Sequence, residues 1–408
     1  MLRTHGSGGW ISNWWFLALA LGCARTGTET AADPRASALP SAARADAAVA
    51  PAEVATAEVA APAPAPTVAP TVAPTPARAD QLELTFVGDV IFGRYRESGY
   101  DPIPEAGKPV FDEIGEKIAA DVVFANLETP LVRELPTSSP IGARFRFGAS
   151  LELAEHLRTA GFTVVSLANN HWYDQRLEGV EQTPKLVREL GLVPVGAAQM
   201  EPPVFRVESV EAKGWRLGFV AITTRTNAPV REGGPQLAYL PTDAIDEQVV
   251  PVVTQARADH DLVIVVVHWG EEYAEAPNYA QVKAAHALID AGADLVIGSH
   301  PHVLQGVERY GKGLIAYSMG NFLFENTNEI PRLTGVLRVR ARAQGSCLDR
   351  VVFHPAYVKR SPAPHPVPAT GAMGHRVRDR VIKQAKAFAT TWTLQGEDLL
   401  LDAPGGSD

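Results

Sequence analysis

The sequence predicts an α/β protein with a mixed sheet, and three observations carry that prediction. Short runs rich in valine, isoleucine and leucine alternate with segments of helical period. The most apolar run, Leu262–Val267, has no polar face, as expected of a strand buried on both sides in a parallel or mixed sheet. The strand ends carry polar side chains, and ligand sites of α/β proteins gather beyond the carboxyl ends of strands.

Composition sets the outer limits. The chain has 408 residues, 46% hydrophobic and 20% charged, which is ordinary for a globular protein and long enough for one large α/β domain. A net charge of −9 argues against a nucleic-acid binder, which shows a basic excess. Two cysteines, Cys23 and Cys347, give no disulfide framework.

The chain starts with a non-globular stretch. Trp10–Leu21 is an apolar run preceded by Arg3, too short to span a bilayer and better suited to a signal-peptide core. Ala20-Leu-Gly-Cys23 resembles a bacterial lipoprotein cleavage site, although leucine is usual where Ala20 stands. Residues 1–23 are therefore read as a lipoprotein-type signal peptide with lipidation at Cys23. Plain secretion or an uncleaved anchor is the alternative, and each exports the chain. Residues 24–80 are mostly Ala, Pro, Thr and Val, with Pro66-Thr-Val-Ala repeated at Pro70. Such a stretch is an extended, disordered tether that holds a domain away from a membrane surface.

The folded part is expected over 81–345, with 346–408 as a C-terminal extension packing on it. Leu82–Val87 is the first strand, followed by Gly88-Asp89; Asp89 is either a ligand or an Asx-turn residue. Phe111–Ala120 is helical in pattern. Asp121–Ala125 is the second strand, running into Asn126-Leu-Glu128, two acceptors on one face. Ser150 caps a helix over Leu151–Ala160, which Gly161 stops. Phe162–Leu167 leads into Asn169-Asn-His171, and a helix over Glu178–Leu190 ends at Gly191. After a short Val193–Val195 segment, Arg216–Ile222 and Leu262–Val267 are strands, the latter delivering His268-Trp-Gly270. The Ala280–Ala291 helix stops at Gly292, with His286 a packed helix residue.

Ala293–Ile297 is a strand, and Gly298-Ser-His-Pro-His302 follows it. Proline fixes its own φ and pushes its predecessor towards an extended form, so His300 and His302 are expected to project together at one point. Ser299 reads as a turn residue. Gly313–Tyr317 is a further strand, Gly335–Ala341 and Asp349–Phe353 form a hairpin, Pro362–Pro368 is irregular, and a closing helix lies near Val381–Thr390.

Separate strands thus end in Asp89, Asn126/Glu128, Asn170/His171, His268 and His300/His302. Mixed imidazole and oxygen donors favour Mn, Fe or Zn over Ca, and the set suffices for one or two divalent transition-metal ions. Paired ions clamp a phosphoryl group and lower the pKa of bound water. Arg94, Arg144 and Arg146 are candidate anion binders, since guanidinium forks suit carboxylate and phosphate. Trp172 and Trp269 flank the proposed ligands as pocket walls or as core.

In this order, Gly88-Asp89, Asn126-Leu-Glu128, Asn169-Asn-His171, His268-Trp-Gly270, Gly298-Ser-His-Pro-His302 and Gly320-Asn-Phe322 resemble the bacterial CapA family of capsule and poly-γ-glutamate synthesis. That family is similar to the calcineurin-like metallophosphoesterases, and the resemblance spans Leu82–Phe324. It implies a four-layer α/β/β/α metallophosphoesterase-like sandwich with mixed sheets. It further implies a metal site of Asp89, Glu128, Asn170, His268, His300 and His302. His171, with Asn170, would be the acid or oxyanion stabiliser, and Arg94, Arg146, Asn126 and Trp269 the substrate-binding residues. Ordinary metallophosphoesterases carry Asp-x-His after the first strand, whereas this chain has Asp89-Val-Ile91. One ion then loses an imidazole unless Glu128 compensates.

Two readings of function follow. One is an exported metal-dependent hydrolase acting on a phosphoester or polymer amide. The other is a non-catalytic accessory lipoprotein that guides an anionic capsule polymer, with membrane proteins of capsule assembly as partners.

Overall fold

The computed structural model describes residues 77–401, apart from 105–107, 142–144, 201–203, 231–232 and 345–347. The signal segment with Cys23, nearly all of the Ala/Pro-rich stretch, and Arg144 lie outside the described residues. Among the described residues, no helix is long and apolar enough to cross a membrane.

Two large sheets form the frame. In the first, the parallel strands Gln81–Val90, Val122–Leu127, Val164–Ser166 and Val193–Val195 lie side by side. Leu333–Arg342 and then Leu348–Lys359 extend it antiparallel on the other side of Gln81–Val90. In the second sheet, Trp215–Thr223, Leu262–His268, Leu295–Ser299 and Gly313–Ala316 run parallel, with antiparallel strands at both edges. A small third sheet joins Gly93–Arg96, Gly99–Pro102 and Arg146–Phe147.

Strand alternation sorts the side chains into layers. Leu82, Leu84, Phe86, Val122 and Phe124 of the first sheet share a core with Leu217, Phe219, Leu262, Ile264, Leu295 and Ile297 of the second. The rings of Phe124 and Phe219 stack across this layer at 6.2 Å. The opposite face of the first sheet, with Val123, Ala125 and Val165, packs on Leu153 and Leu157 of helix Leu151–Thr159 and on Leu186 and Val187 of helix Arg176–Glu189. The opposite face of the second, with Val263, Val265 and Val296, packs on helices Val250–Asp259 and Tyr279–Asp290. The result is the four-layer α/β/β/α sandwich with mixed sheets. Each fully buried aliphatic or phenyl side chain in these layers contributes roughly 1.5–3 kcal/mol.

Local expectations fared unevenly. Ser150 caps its helix, its hydroxyl accepting from the Leu153 N–H at 3.4 Å. The Phe111–Ala120 segment is not one helix; it breaks into a 3₁₀ turn, Asp112–Ile114, and a single α turn, Gly115–Ile118. His365–Pro368, expected to be irregular, is a strand on the Leu348–Lys359 edge, a position that tolerates proline. The closing helix is Gly371–Ala385, earlier than expected, because Val377, Val381 and Ala385 form its buried stripe and Ala389 at φ +50° ends the following turn.

Candidate functional site

The parallel strands of both sheets end at the same rim, and a bulge aims the first acid into it. Phe86 pairs with Phe124 but Asp89 pairs with Asn126, so three steps on one strand match two on the other. The extra residue turns Asp89 to the inter-sheet side that Phe124, Asn126 and Glu128 share by simple alternation. Gly88 is required there: a Cβ would stand 1.8 Å from the Gly320 carbonyl oxygen.

Asp89 and Glu128 are completely buried, and Asn126, Asn170, His171, His268, His300 and His302 are buried beside them. Ligand atoms of Asp89, Glu128 and His268 lie within 4.8 Å of one another. The Asn126 amide Nδ2 is 2.9 Å from Asp89 Oδ1, 3.3 Å from Glu128 Oε1 and 3.2 Å from His268 Nδ1. The other ring nitrogen, His268 Nε2, lies 2.9 Å from Asn170 Oδ1, 3.1 Å from His300 Nδ1 and 3.5 Å from Glu128 Oε1. His302 Nδ1 is 3.2 Å from Asp89 Oδ2 and 2.9 Å from Asn321 Oδ1.

This arrangement is electrostatically stressed. Burial, then the adjacent Asp89, pushes the Glu128 carboxyl well above its ordinary range. Burial, then neighbouring His300, holds His268 well below the usual imidazole value. Burial and His302 push His300 down to about 2. Burial alone would lower His302 too, but Glu128 and Asp89 outweigh it and raise the ring to about 9. Among the described residues, Glu128 Oε2 is buried without a hydrogen-bond partner. Two buried carboxylates with oxygens within 4.8 Å, beside the neutral imidazoles of His268 and His300, are a donor set that fits a divalent transition metal.

A cavity of about 590 Å³ opens onto the cluster and is lined by Arg94, Arg146, Asn170, His171, Tyr273 and His302, among others. His171 Nδ1 lies 2.7 Å from Asp174 Oδ2, and Arg146 Nη1 donates to Asp174 Oδ1 at 3.2 Å. The Phe147 N–H donates to the same carboxylate at 2.8 Å. Arg94 pairs with Glu325 at 2.5 Å. Both arginines therefore reach the cavity already tied to a carboxylate.

Several residues stand elsewhere than expected. Trp269 is fully buried on the helix side of its sheet, its indole N–H donating to the Tyr317 carbonyl at 3.0 Å; it is core and is not among the residues lining the cavity beside the cluster. Asn126 lies within the cluster rather than along the cavity, bridging the acids and His268. The histidine loop is not extended: His300 has φ +93° and His302 φ +57°, yet their ring centroids come within 5.9 Å. Ser299 ends the strand and its Oγ sits 3.0 Å from His268 Nδ1. Asp174, Asn321 and Ser299 were missed as orienting groups. An acid three residues past His171 was the one available signal.

A sandwich whose acids come from one sheet and whose imidazoles come chiefly from the other defines an α/β/β/α protein with a buried metal-competent centre. Residues 83–326 match the model of the bacterial capsule synthesis protein PGA_cap. The chain belongs to that family. It is 31% identical over 329 residues to the capsule biosynthesis protein CapA of Bacillus anthracis, covering 78% of this chain and 77% of that one. It is also 31% identical over 252 residues to the PGA biosynthesis protein CapA of Bacillus subtilis, covering 60% and 64%. A Mycobacterium tuberculosis relative named as a probable polyglutamine synthesis accessory protein is 28% identical over 244 residues, covering 55% and 62%.

Proposed function

We propose that the chain is an exported, membrane-tethered protein of capsule or poly-γ-glutamate biosynthesis. Its strand-end centre would be a metal-dependent hydrolase acting on a phosphoester or a polymer amide. One observation carries this reading: Asp89, Glu128 and His268 converge, buried, within 4.8 Å at the edge of a cavity flanked by two arginines. Asp89, Glu128, Asn170, His268, His300 and His302 would hold one or two ions of Mn, Fe or Zn. The ion would lower the pKa of bound water and polarise the scissile group. Asp174 fixes the Nδ1 side of His171, which leaves the Nε2 side to protonate a leaving group or face an oxyanion. Arg94 and Arg146 would receive an anionic chain or phosphate.

Elemental analysis of the purified protein tests the reading. It is paired with phosphomonoester, phosphodiester and γ-glutamyl substrates on wild type and His300→Ala. Bound transition metal with turnover lost in the variant is the expected result; no metal in either protein would sink it.

Ile91 favours a second reading. It is buried beside the cavity at the position where a metallophosphoesterase pattern has a histidine. A centre short of one imidazole suits an accessory protein that binds an anionic polymer without cleaving it. Poly-γ-glutamate binding that survives chelation, with no turnover, would favour it. For the tether, Cys23→Ser should release the protein from the membrane fraction; an unchanged membrane-bound pool would count against a lipid anchor.

A further inference from the structure

The loop carrying His300 and His302 holds two non-glycine residues in left-handed backbone, at φ +93° and +57°. Such conformations persist only where the surroundings over-determine them. Part of the restraint is local. The Trp269 N–H donates to Ser299 O at 3.1 Å and the Tyr273 N–H to Pro301 O at 2.8 Å. Gln305 Nε2 donates to Ala274 O at 2.8 Å. One restraint comes from far along the chain. Arg380, on the Gly371–Ala385 helix, donates from Nε to the Leu304 carbonyl at 3.1 Å.

That arginine is set for the task. Its side chain is only 9% exposed, and Nη1 faces Glu275 at 3.6 Å, in the same loop that restrains Gln305. The same helix packs Val377, Val381 and Ala385 into the cluster that contains Leu304 and Val307, so the apolar stripe and the guanidinium grip one segment. Phe388, just beyond the helix, lies so close to Gly306 that a side chain there would collide with its ring. Burial lowers the Arg380 pKa, against the pull of Glu275, which marks an unfavourable place for a charge with no task. Among the described residues Nη2 has no hydrogen-bond partner, so the guanidinium is held through Nε and Nη1.

We propose that Arg380 is a positioning residue that clamps the segment after His302, so that the C-terminal helix sets the geometry of the imidazoles in the candidate metal centre. The proposal rests on the cation reading of that centre. Its loop-clamping part can be tested without metal.

The test uses wild type, Arg380→Met and Arg380→Lys. Met keeps the apolar stem without a donor; Lys keeps the charge and one donor without the planar fork. Titration of chelator-stripped protein with Mn²⁺ should give affinities in the order wild type, Lys, Met. Met should lose about tenfold, the low end of the cost of losing an outer orienting group. Metal-free melting of folded variants should stay within a few degrees of wild type. Hydrogen exchange on the stripped proteins should show the amides of His302–Gln305 opening about tenfold faster in Met, in line with the lost tie. If Met does not fold, Lys decides alone: weakened Mn²⁺ binding with unchanged melting supports the clamp. Either folded variant binding Mn²⁺ as tightly as wild type overturns it. If wild type itself binds none of Mn²⁺, Fe²⁺ or Zn²⁺, the cation reading fails, and unaltered exchange in the loop then overturns the clamp as well.

Discussion

Glu128→Gln should stabilise the metal-free protein while weakening the centre it belongs to. Glu128 is fully buried, lies within 4.8 Å of Asp89, and its Oε2 has no partner among the described residues. Its carboxyl is pushed up by burial and then by Asp89, with His302 acting in the opposite sense and Glu272 and Asp174 adding to the rise. An acid with a raised folded-state pKa binds more protons folded than unfolded, so its contribution to stability falls as pH climbs above the unfolded value of 4.5. At pH 7 the penalty is bounded by the distance from 4.5 to the working pH, on the order of 3 kcal/mol. Glutamine keeps an oxygen for the Asn126 amide and cannot ionise. Allowing for a still unpartnered amide group and for the lost attraction to His302, a gain of about 1–2 kcal/mol is expected, or a melting point about 2–4 °C higher. Calorimetry in chelator at pH 5 and pH 8 measures it, and the gap between the two proteins should widen at the higher pH. Mn²⁺ affinity, by titration calorimetry, should fall at least about tenfold because a charged donor is gone. A Gln variant that melts below wild type in chelator at pH 8, or binds Mn²⁺ equally well, would refute the reasoning.

Three further outcomes follow from the same geometry. Apparent Mn²⁺ affinity should rise with pH and level off near pH 9, because the cation must displace protons from Glu128 and from His302, whose ring is raised to about 9; an affinity independent of pH between 6 and 9 would contradict this assignment. Gly88→Ala should destabilise by roughly 1–3 kcal/mol or more in urea unfolding, since its Cβ meets the Gly320 carbonyl at 1.8 Å; an unchanged midpoint would mean that the strand can part there cheaply. Asp174→Asn should cut any measured turnover by about 10²-fold or more while leaving Mn²⁺ affinity within a few-fold, because Asp174 orients His171 and touches none of the proposed ligands; equal losses in both would make it a structural residue instead.

The layers of this fold were legible because burial on two faces leaves a mark in sequence. Leu262–Val267 has no polar residue, and it is a central strand of the second sheet. Helices stopped by Gly161, Gly191 and Gly292 were legible too, since each glycine takes a positive φ after its helix. The small third sheet was not. Its strands are two to four residues long, and Gly93–Arg96 pairs with Arg146–Phe147 some fifty positions away, so no local period announces it. His365–Pro368 was hidden for a different reason. Prolines read as irregular chain, and only an available sheet edge converts them to strand.

The site divides along the same physical line. Polar residues at strand ends were readable because alternation and strand termination act locally. What they bond to was mostly not, because Ser299 and Asn321 reach their histidines through tertiary contacts, whereas Asp174 lies only three residues past His171. Trp269 shows that local logic can be carried further than adjacency. Leu262, Ile264 and Val266 face the inter-sheet core, so His268 continues their face and Trp269 must turn to the helices with Val263, Val265 and Val267. A side chain next to a ligand in a strand points away from it, and period two alone would have excluded the indole from the cavity. Asp89 is the reverse case. Strict alternation from Leu82, Leu84 and Phe86 would aim it at the helices, and only the bulge before it restores it to the inter-sheet face. The centre therefore depends on an irregularity of pairing between two strands, and that irregularity sits where Gly88 packs against Gly320, a contact that neither segment reveals by itself.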